Sequence, residues 1–339
     1  MRYLGVLGVF LMLAAGAGIA GDEDCFSRSL HATGEGMRYW YEEEGGLMNI
    51  TGIPYADLDC SNCHINSCDR CHATSDEQAG TCAYSTAEAK KTATCLQCHG
   101  RENLTYKMCE KQGTLDVHGR QCTDCHGASD VHGDGKVYRS MRDPGAVKTN
   151  CMQCHEGGIG DSRAHTVHKD KLDCAACHVS ATTACMNCHM DTFLQTGSRK
   201  GNFLPMQDWL LLINHEGKVT SATAMTLVYK DQKFVCYGPY FTHAIQPQGK
   251  QCADCHANEA VKRLKAGDKV PMMRFENGEV VNWQGVVPVI DGQLEWVYLN
   301  KSGDGWVPIE GGGDETVQYV EYGTPLTPAQ LKKMAMPLK

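Results

Sequence analysis

The sequence predicts a mostly irregular and α-helical fold packed around prosthetic groups, with a minor β-containing C-terminal part. Three observations predict it. The pentapeptide Cys-x-x-Cys-His occurs eight times and takes up 16 of the 20 cysteines. Seven of the eight copies fall within the 130 residues 60–189, too little chain between them for an ordinary apolar core. Short alternating apolar runs, the mark of strands, become frequent only after residue 200.

The elements follow in order. Arg2, the apolar stretch Leu4–Ala15 and the small residues up to Ala20 read as a secretory signal over 1–20. The stretch is short for a membrane span and runs into Asp22-Glu23-Asp24, so no span is expected in the mature chain. Residues 21–200 form the motif-rich region, and 201–339 the β-containing region with the eighth motif embedded in it. Tyr39-Trp40-Tyr41 reads as an amphipathic patch able to cover the first two motifs. Strands are expected at Trp209–Ile213, Lys218–Thr220, Ala224–Tyr229 and Phe234–Tyr237, with turns at Asn214–Gly217 and Lys230–Lys233. A second group is expected at Val280–Val289, Leu294–Leu299, Trp306–Ile309 and Val317–Tyr322. Lys262–Lys269 reads as the solvated face of a short helix, and Thr327-Pro328 as the start of a final one.

Each motif is the attachment signature of a c-type haem. On one helical turn the first Cys, second Cys and His share a face, so two thiols and an imidazole aim at one macrocycle. Eight covalent haems are therefore expected. Their thioethers would be Cys60 and Cys63, Cys68 and Cys71, Cys95 and Cys98, Cys122 and Cys125, Cys151 and Cys154, Cys174 and Cys177, Cys185 and Cys188, and Cys252 and Cys255. Their proximal ligands would be His64, His72, His99, His126, His155, His178, His189 and His256. Zinc needs four ligands and no His after every second Cys, which argues against a zinc ribbon. A disulfide framework does not explain the histidines either.

Seven histidines lie outside the motifs: His31, His118, His132, His165, His168, His215 and His243. They are the candidate distal ligands. Seven cannot serve eight irons, so at least one iron per chain is expected to carry a Met, Lys or other ligand, an open or water-bound position, or a ligand from a different protein. The close intervals, three residues between His64 and Cys68 and six between His178 and Cys185, predict near contact of haems 1 and 2 and of haems 6 and 7. Of the leftover cysteines, Cys82 and Cys109 flank the third motif and offer a bridge, with Cys25 and Cys236 left by elimination; free thiols are the alternative.

The formal net charge of −8 and the lack of a basic stripe make nucleic acid a poor partner. No Gly-x-Ser-x-Gly or His-Glu-x-x-His is present, and Glu156–Gly160 follows a motif rather than a strand, so it reads as a loop and not a phosphate cradle.

In its motif number, in tight pairs such as CSNCHINSCDRCH and in its interspersed histidines, the segment from residue 31 to about 256 resembles the multihaem, octahaem c-type cytochromes of metal- and sulfate-respiring bacteria. The resemblance implies an exported electron carrier, periplasmic or at the cell exterior, exchanging electrons with other redox proteins. Some similar proteins self-associate into filaments. The expected function is electron transfer without bond chemistry by side chains, so the chain is read as a carrier rather than an enzyme. The alternative is an oxidoreductase of the nitrite, sulfite or tetrathionate reductase type with one open-site haem.

Overall fold

A computed structural model of the chain describes residues 22–58, 65, 67–74, 83–112, 116–157, 159–197, 202–303 and 305–337. The expected signal over 1–20, the first motif (Cys60, Cys63 and His64) and Cys82 lie outside the described residues.

The C-terminal half is organised by a seven-stranded mixed sheet. Its strands are β1 (Ala184–His189), β2 (Leu204–Met206), β3 (Trp209–His215), β4 (Lys218–Tyr229), β5 (Gln232–Pro239), and the segments Gly285–Pro288 and Glu315–Tyr319. The long strand β4 is its spine. β5 runs antiparallel along one edge of β4, from Ala222 opposite Pro239 to Tyr229 opposite Gln232. The other edge is shared by β3, antiparallel over Lys218–Ala222, and β1, parallel over Met225–Val228. Glu315–Tyr319 extends the sheet beyond β5, Gly285–Pro288 extends it beyond β3, and β2 pairs with β1.

The turns have local causes. Glu216 and Gly217 join β3 to β4, and Lys230 and Asp231 join β4 to β5. All four adopt positive φ, as tight two-residue hairpin turns require. The stretch Ser221-Ala222-Thr223, which divides two expected strands, is continuous strand here because β3 and β5 hydrogen-bond it from both sides.

Both faces of the sheet are covered. One carries Trp209, Leu211, Ile213, Ala224, Val228, Val235 and Tyr237, packed against Leu264, Val270, Met272, Met273 and Trp296. On the other, Leu227, Tyr229 and Phe234 meet Tyr41, Leu47, Ile50, Tyr55 and Leu58 of the N-terminal helices. Trp40 stacks edge-on to Tyr322, and Tyr41 bonds Thr51 and the Ile53 carbonyl. The aromatic patch at 39–41 thus lies on the sheet's covering rather than over a described motif. A helix at Glu259–Ala266, capped by Asn258, and a final helix at Pro328–Met334, opened by a Thr327–Gln330 capping box, complete this part.

This overturns the expected fold class. The chain is 34% helix and 25% strand, and the sheet is a central element instead of a minor C-terminal addition. The expectation assumed that porphyrins would replace an apolar core throughout. Two apolar layers on one sheet provide a core that local motif density did not reveal.

The described residues between 65 and 178 form loops, short helices and one helix of 13 residues, Gly100–Gln112. No helix among the described residues is long and apolar enough to cross a membrane.

Candidate functional site

Six motifs lie on single helical turns. These are Asp69–His72, Thr92–Leu96 leading into the third motif, the 3-10 turn Cys122–Asp124, Met152–His155, Cys174–His178 and Cys252–Cys255. The sequence supplies their caps. In Gln121-Cys-Thr-Asp124 and Gln251-Cys-Ala-Asp254 the Asp inside the motif accepts from the backbone N–H of the Gln before it, a complete capping box. Asp173 caps the sixth motif through the Ala175 N–H.

Each of these six motif histidines faces one histidine from outside the motifs. The ring centres are 6.1 Å apart in His72–His132 and His99–His31, and 6.2 Å apart in His126–His243, His155–His118 and His178–His165. They are 6.0 Å apart in His256–His168. An iron with an imidazole nitrogen about 2 Å away on each side leaves the ring centres about 6.2 Å apart. Stacked or edge-on imidazoles in direct contact could adopt many spacings; six pairs hold nearly the same one.

The ring orientation is set from behind. Nδ1 of His31, His165, His168 and His178 lies 2.8–3.1 Å from the carbonyl oxygens of Val131, Gly160, Ala164 and Gln246. Nδ1 of His118, His126 and His243 lies 2.8, 3.2 and 3.0 Å from carboxylate oxygens of Asp116, Asp130 and Glu102. These oxygens accept, so Nδ1 carries the hydrogen and the Nε2 lone pair is left for a metal. Burial pushes the Glu102 carboxyl up, but its partners His243 and Tyr240 outweigh it, and the net shift is down. Asp130 behaves alike: burial raises it, while Thr149, the Lys148 N–H and His126 bring it down.

The pairing is not that of nearest neighbours in the chain. His118 stands four residues before Cys122 but faces His155, and His243 faces His126 across more than a hundred residues. His165 and His168, on the Ser162-capped helix Arg163–His168, serve two different motifs.

The motifs also abut. The thiols of Cys95 and Cys122 lie beside each other, as do those of Cys151 and Cys174. Cys71 lies within electrostatic reach of Cys95, and Cys177 within reach of Cys252 and Cys255. Asp116 connects the fourth and fifth pairs: it bonds His118 and acts on His243. Motifs 3 and 4 and motifs 5 and 6 are thus adjacent through their thiols, while motifs 2 and 3, 4 and 5, and 6 and 8 are linked electrostatically.

The seventh motif is built differently. Cys185 and Cys188 lie on β1, where a bulge at Asn187 (φ 51°) keeps them on one face, opposite Met225 and Leu227 of β4. His189 is opposite Val228, whose side chain belongs to the other face of the sheet. Its Nδ1 is 3.1 Å from Thr192 Oγ1 and its Nε2 is 3.3 Å from Asn300 Oδ1. Two thiols on one face and an imidazole held on the other do not converge on one macrocycle, so these residues do not fit a haem as the other six motifs do. The neighbour of the sixth motif is accordingly the eighth, not the seventh.

His215, on the β3–β4 hairpin, has no motif histidine opposite it among the described residues. Burial and the Arg142 charge lower its pKa, and the Tyr322 backbone is its hydrogen-bond neighbour. Cys25, Cys109 and Cys236 are free thiols: Cys25 lies beside Gly135, Cys109 accepts from Gln207 Nε2 at 3.0 Å, and Cys236 lies on β5 across from Met225.

The carboxylates behind the imidazoles were missed by sequence reasoning. Asp116-Val-His118 and His126-x-x-x-Asp130 are spacings at which one turn brings the two groups together, so two of the three carried a signal. Glu102 carried none, because its partner lies 141 positions away. Among the described residues no group of three or more His, Cys, Asp or Glu could hold a metal ion unaided. Comparison with protein-family models, curated proteins and solved structures gave no match.

Proposed function

We propose that the chain is a multihaem c-type cytochrome that passes electrons between redox partners outside the cytoplasm. The observation that carries this reading is the set of six imidazole pairs at 6.0–6.2 Å, each with one member from a Cys-x-x-Cys-His motif. A porphyrin iron has two axial positions, and two opposed Nε2 lone pairs suit them.

In this reading the motif thiols hold each porphyrin covalently, and His72, His99, His126, His155, His178 and His256 are proximal ligands. His132, His31, His243, His118, His165 and His168 are distal ligands. A bound haem would supply a one-electron ferric–ferrous couple, and the paired histidines would hold its iron. The protein's own contribution is to fix the rings through Nδ1, to set the charge around each site and to hold successive motifs near one another. The adjacency of motifs 3 and 4 and of motifs 5 and 6, with electrostatic links between the others, supports transfer along a series rather than isolated sites. Export, redox-protein partners and self-association into filaments are parts of the proposal that rest on the sequence and its resemblance.

Intact-protein mass spectrometry and electron paramagnetic resonance test the reading. The expected result is covalently added haem at the six paired motifs at least, with low-spin bis-imidazole signals indifferent to nitrite and sulfite. A polypeptide from its natural, haem-attaching host that carries no added macrocycle would overturn it. A high-spin signal that responds to nitrite or sulfite would favour the reductase instead.

A further inference from the structure

Both histidines of the fourth pair are backed by carboxylates. His243 Nδ1 meets Glu102 Oε2 at 3.0 Å, and His126 Nδ1 meets Asp130 Oδ2 at 3.2 Å. Both carboxylates are well covered: the Asp130 side chain is 4% exposed and that of Glu102 is 13% exposed. The fifth pair has one carboxylate, Asp116 on His118, and the described bonds to His31, His165, His168 and His178 are to neutral carbonyls. The sites therefore differ in charge at the position that most directly controls how strongly an imidazole donates to iron.

We propose that Glu102 and Asp130 are positioning residues that make the His126–His243 site the lowest-potential one among the six described pairs. The inference rests on the multihaem reading above. A carboxylate that accepts the Nδ1 hydrogen draws that proton toward itself and raises the basicity of Nε2. A more basic ligand, and a buried negative charge behind it, both favour the ferric state over the ferrous one. Two such groups act on opposite axial ligands of one iron, so their effects have the same sign. Asp116 adds to them, since it reaches His243 as well as His118. The result is a low-potential step between motifs 3 and 5, where electrons pass through but do not rest.

Tyr240 gives the proposal a test of opposite sign. Its hydroxyl donates to Glu102 Oε1 at 2.5 Å and so withdraws part of the charge that His243 would otherwise feel. Glu102→Gln keeps the shape and an acceptor oxygen but removes the charge. Tyr240→Phe keeps the ring and removes the competing donor.

Spectroelectrochemical titration of the holoprotein, with paramagnetic resonance at each poise, reads the outcome. In Glu102→Gln and in Asp130→Asn, the last component to be reduced should move up. The expected ferrous-to-ferric ratio at fixed potential changes by about tenfold, which is about 59 mV for a one-electron couple. Tyr240→Phe should move the same component down, and the remaining components should stay in place. Unmoved potentials in Glu102→Gln and Tyr240→Phe, with low-spin haem content unchanged, would overturn the inference. So would a shift of the highest-potential component instead of the lowest. Absence of haem altogether would overturn the multihaem reading, which is a separate failure. Should Asp130→Asn not fold, Tyr240→Phe still decides the sign, since it leaves every ligand and carboxylate in place.

Discussion

A histidine is read from its two nitrogens. In His31, His118, His126, His165, His168, His178 and His243, Nδ1 is engaged with an oxygen acceptor and Nε2 faces another imidazole. In His189 both nitrogens are engaged by Thr192 and Asn300. The Cys-x-x-Cys-His spacing separated eight proximal candidates from seven distal ones but did not distinguish the members within either set. What separates them is the partner behind the ring, which comes from carbonyls and carboxylates far along the chain. This gives single-residue predictions. His168→Ala should convert one low-spin signal to a high-spin one that binds added imidazole, because its partner His256 keeps its place. His215→Ala should leave every low-spin signal intact. His189→Ala should also leave them intact and cost about 1 kcal/mol for the lost hydrogen bonds, read by chemical denaturation. Loss of a low-spin signal in His189→Ala would show that the seventh motif takes a ligand role this fold does not present.

At the scale of elements, the seventh motif shows how a local signature yields to long-range pairing. Its two Cys and its His stand in the same order and spacing as in the helical motifs, and one turn of helix is what the spacing predicts. The flanking sequence instead pairs with β4, and the side chain of Asn187 pins the bulge. Asn187 is fully buried, its N–H donates to Thr226 Oγ1 at 2.7 Å, and its Oδ1 accepts from the Leu299 N–H at 2.9 Å. None of these contacts is visible within ten residues of the motif. Asn187→Ala should therefore cost about 2–4 kcal/mol, from an orphaned buried N–H and from a β-carbon without Asn's local hydrogen bonding held at positive φ. A fall in the denaturation midpoint with an unchanged haem spectrum would fit this account; an unchanged midpoint would show that the bulge is held elsewhere. The hairpins β3–β4 and β4–β5 were legible because their turns and alternation lie in adjacent residues. The attachment of β1, of Gly285–Pro288 and of Glu315–Tyr319 was not, since parallel partners are distant in sequence.

At the scale of the whole molecule, the two kinds of core lie in different parts of the chain. The sheet buries Trp209, Leu211, Ile213, Val228 and Val235 on one face and Leu227, Tyr229 and Phe234 on the other, which is enough apolar side chain to fold cooperatively by itself. Among the described residues between 83 and 157 the buried apolar ones are few: Cys109, Tyr138 and Ala146. There the described residues form loops and single-turn helices, which are unstable alone because nucleation is not repaid within four residues, and one longer helix, Gly100–Gln112. Motif density misjudged the fold, because periodicity cannot tell that scattered short strands join one sheet. The division has a measurable consequence. Full-length protein made without haem attachment should keep slow amide hydrogen exchange on β3, β4 and β5 while exchange across 83–157 approaches that of an unfolded chain. Attaching haem should slow exchange in 83–157 by orders of magnitude and leave the sheet nearly as it was. Uniform protection of both parts in the haem-free chain would mean that the motif region holds itself together, and the paired histidines would then be a consequence of its fold rather than the cross-links that maintain it.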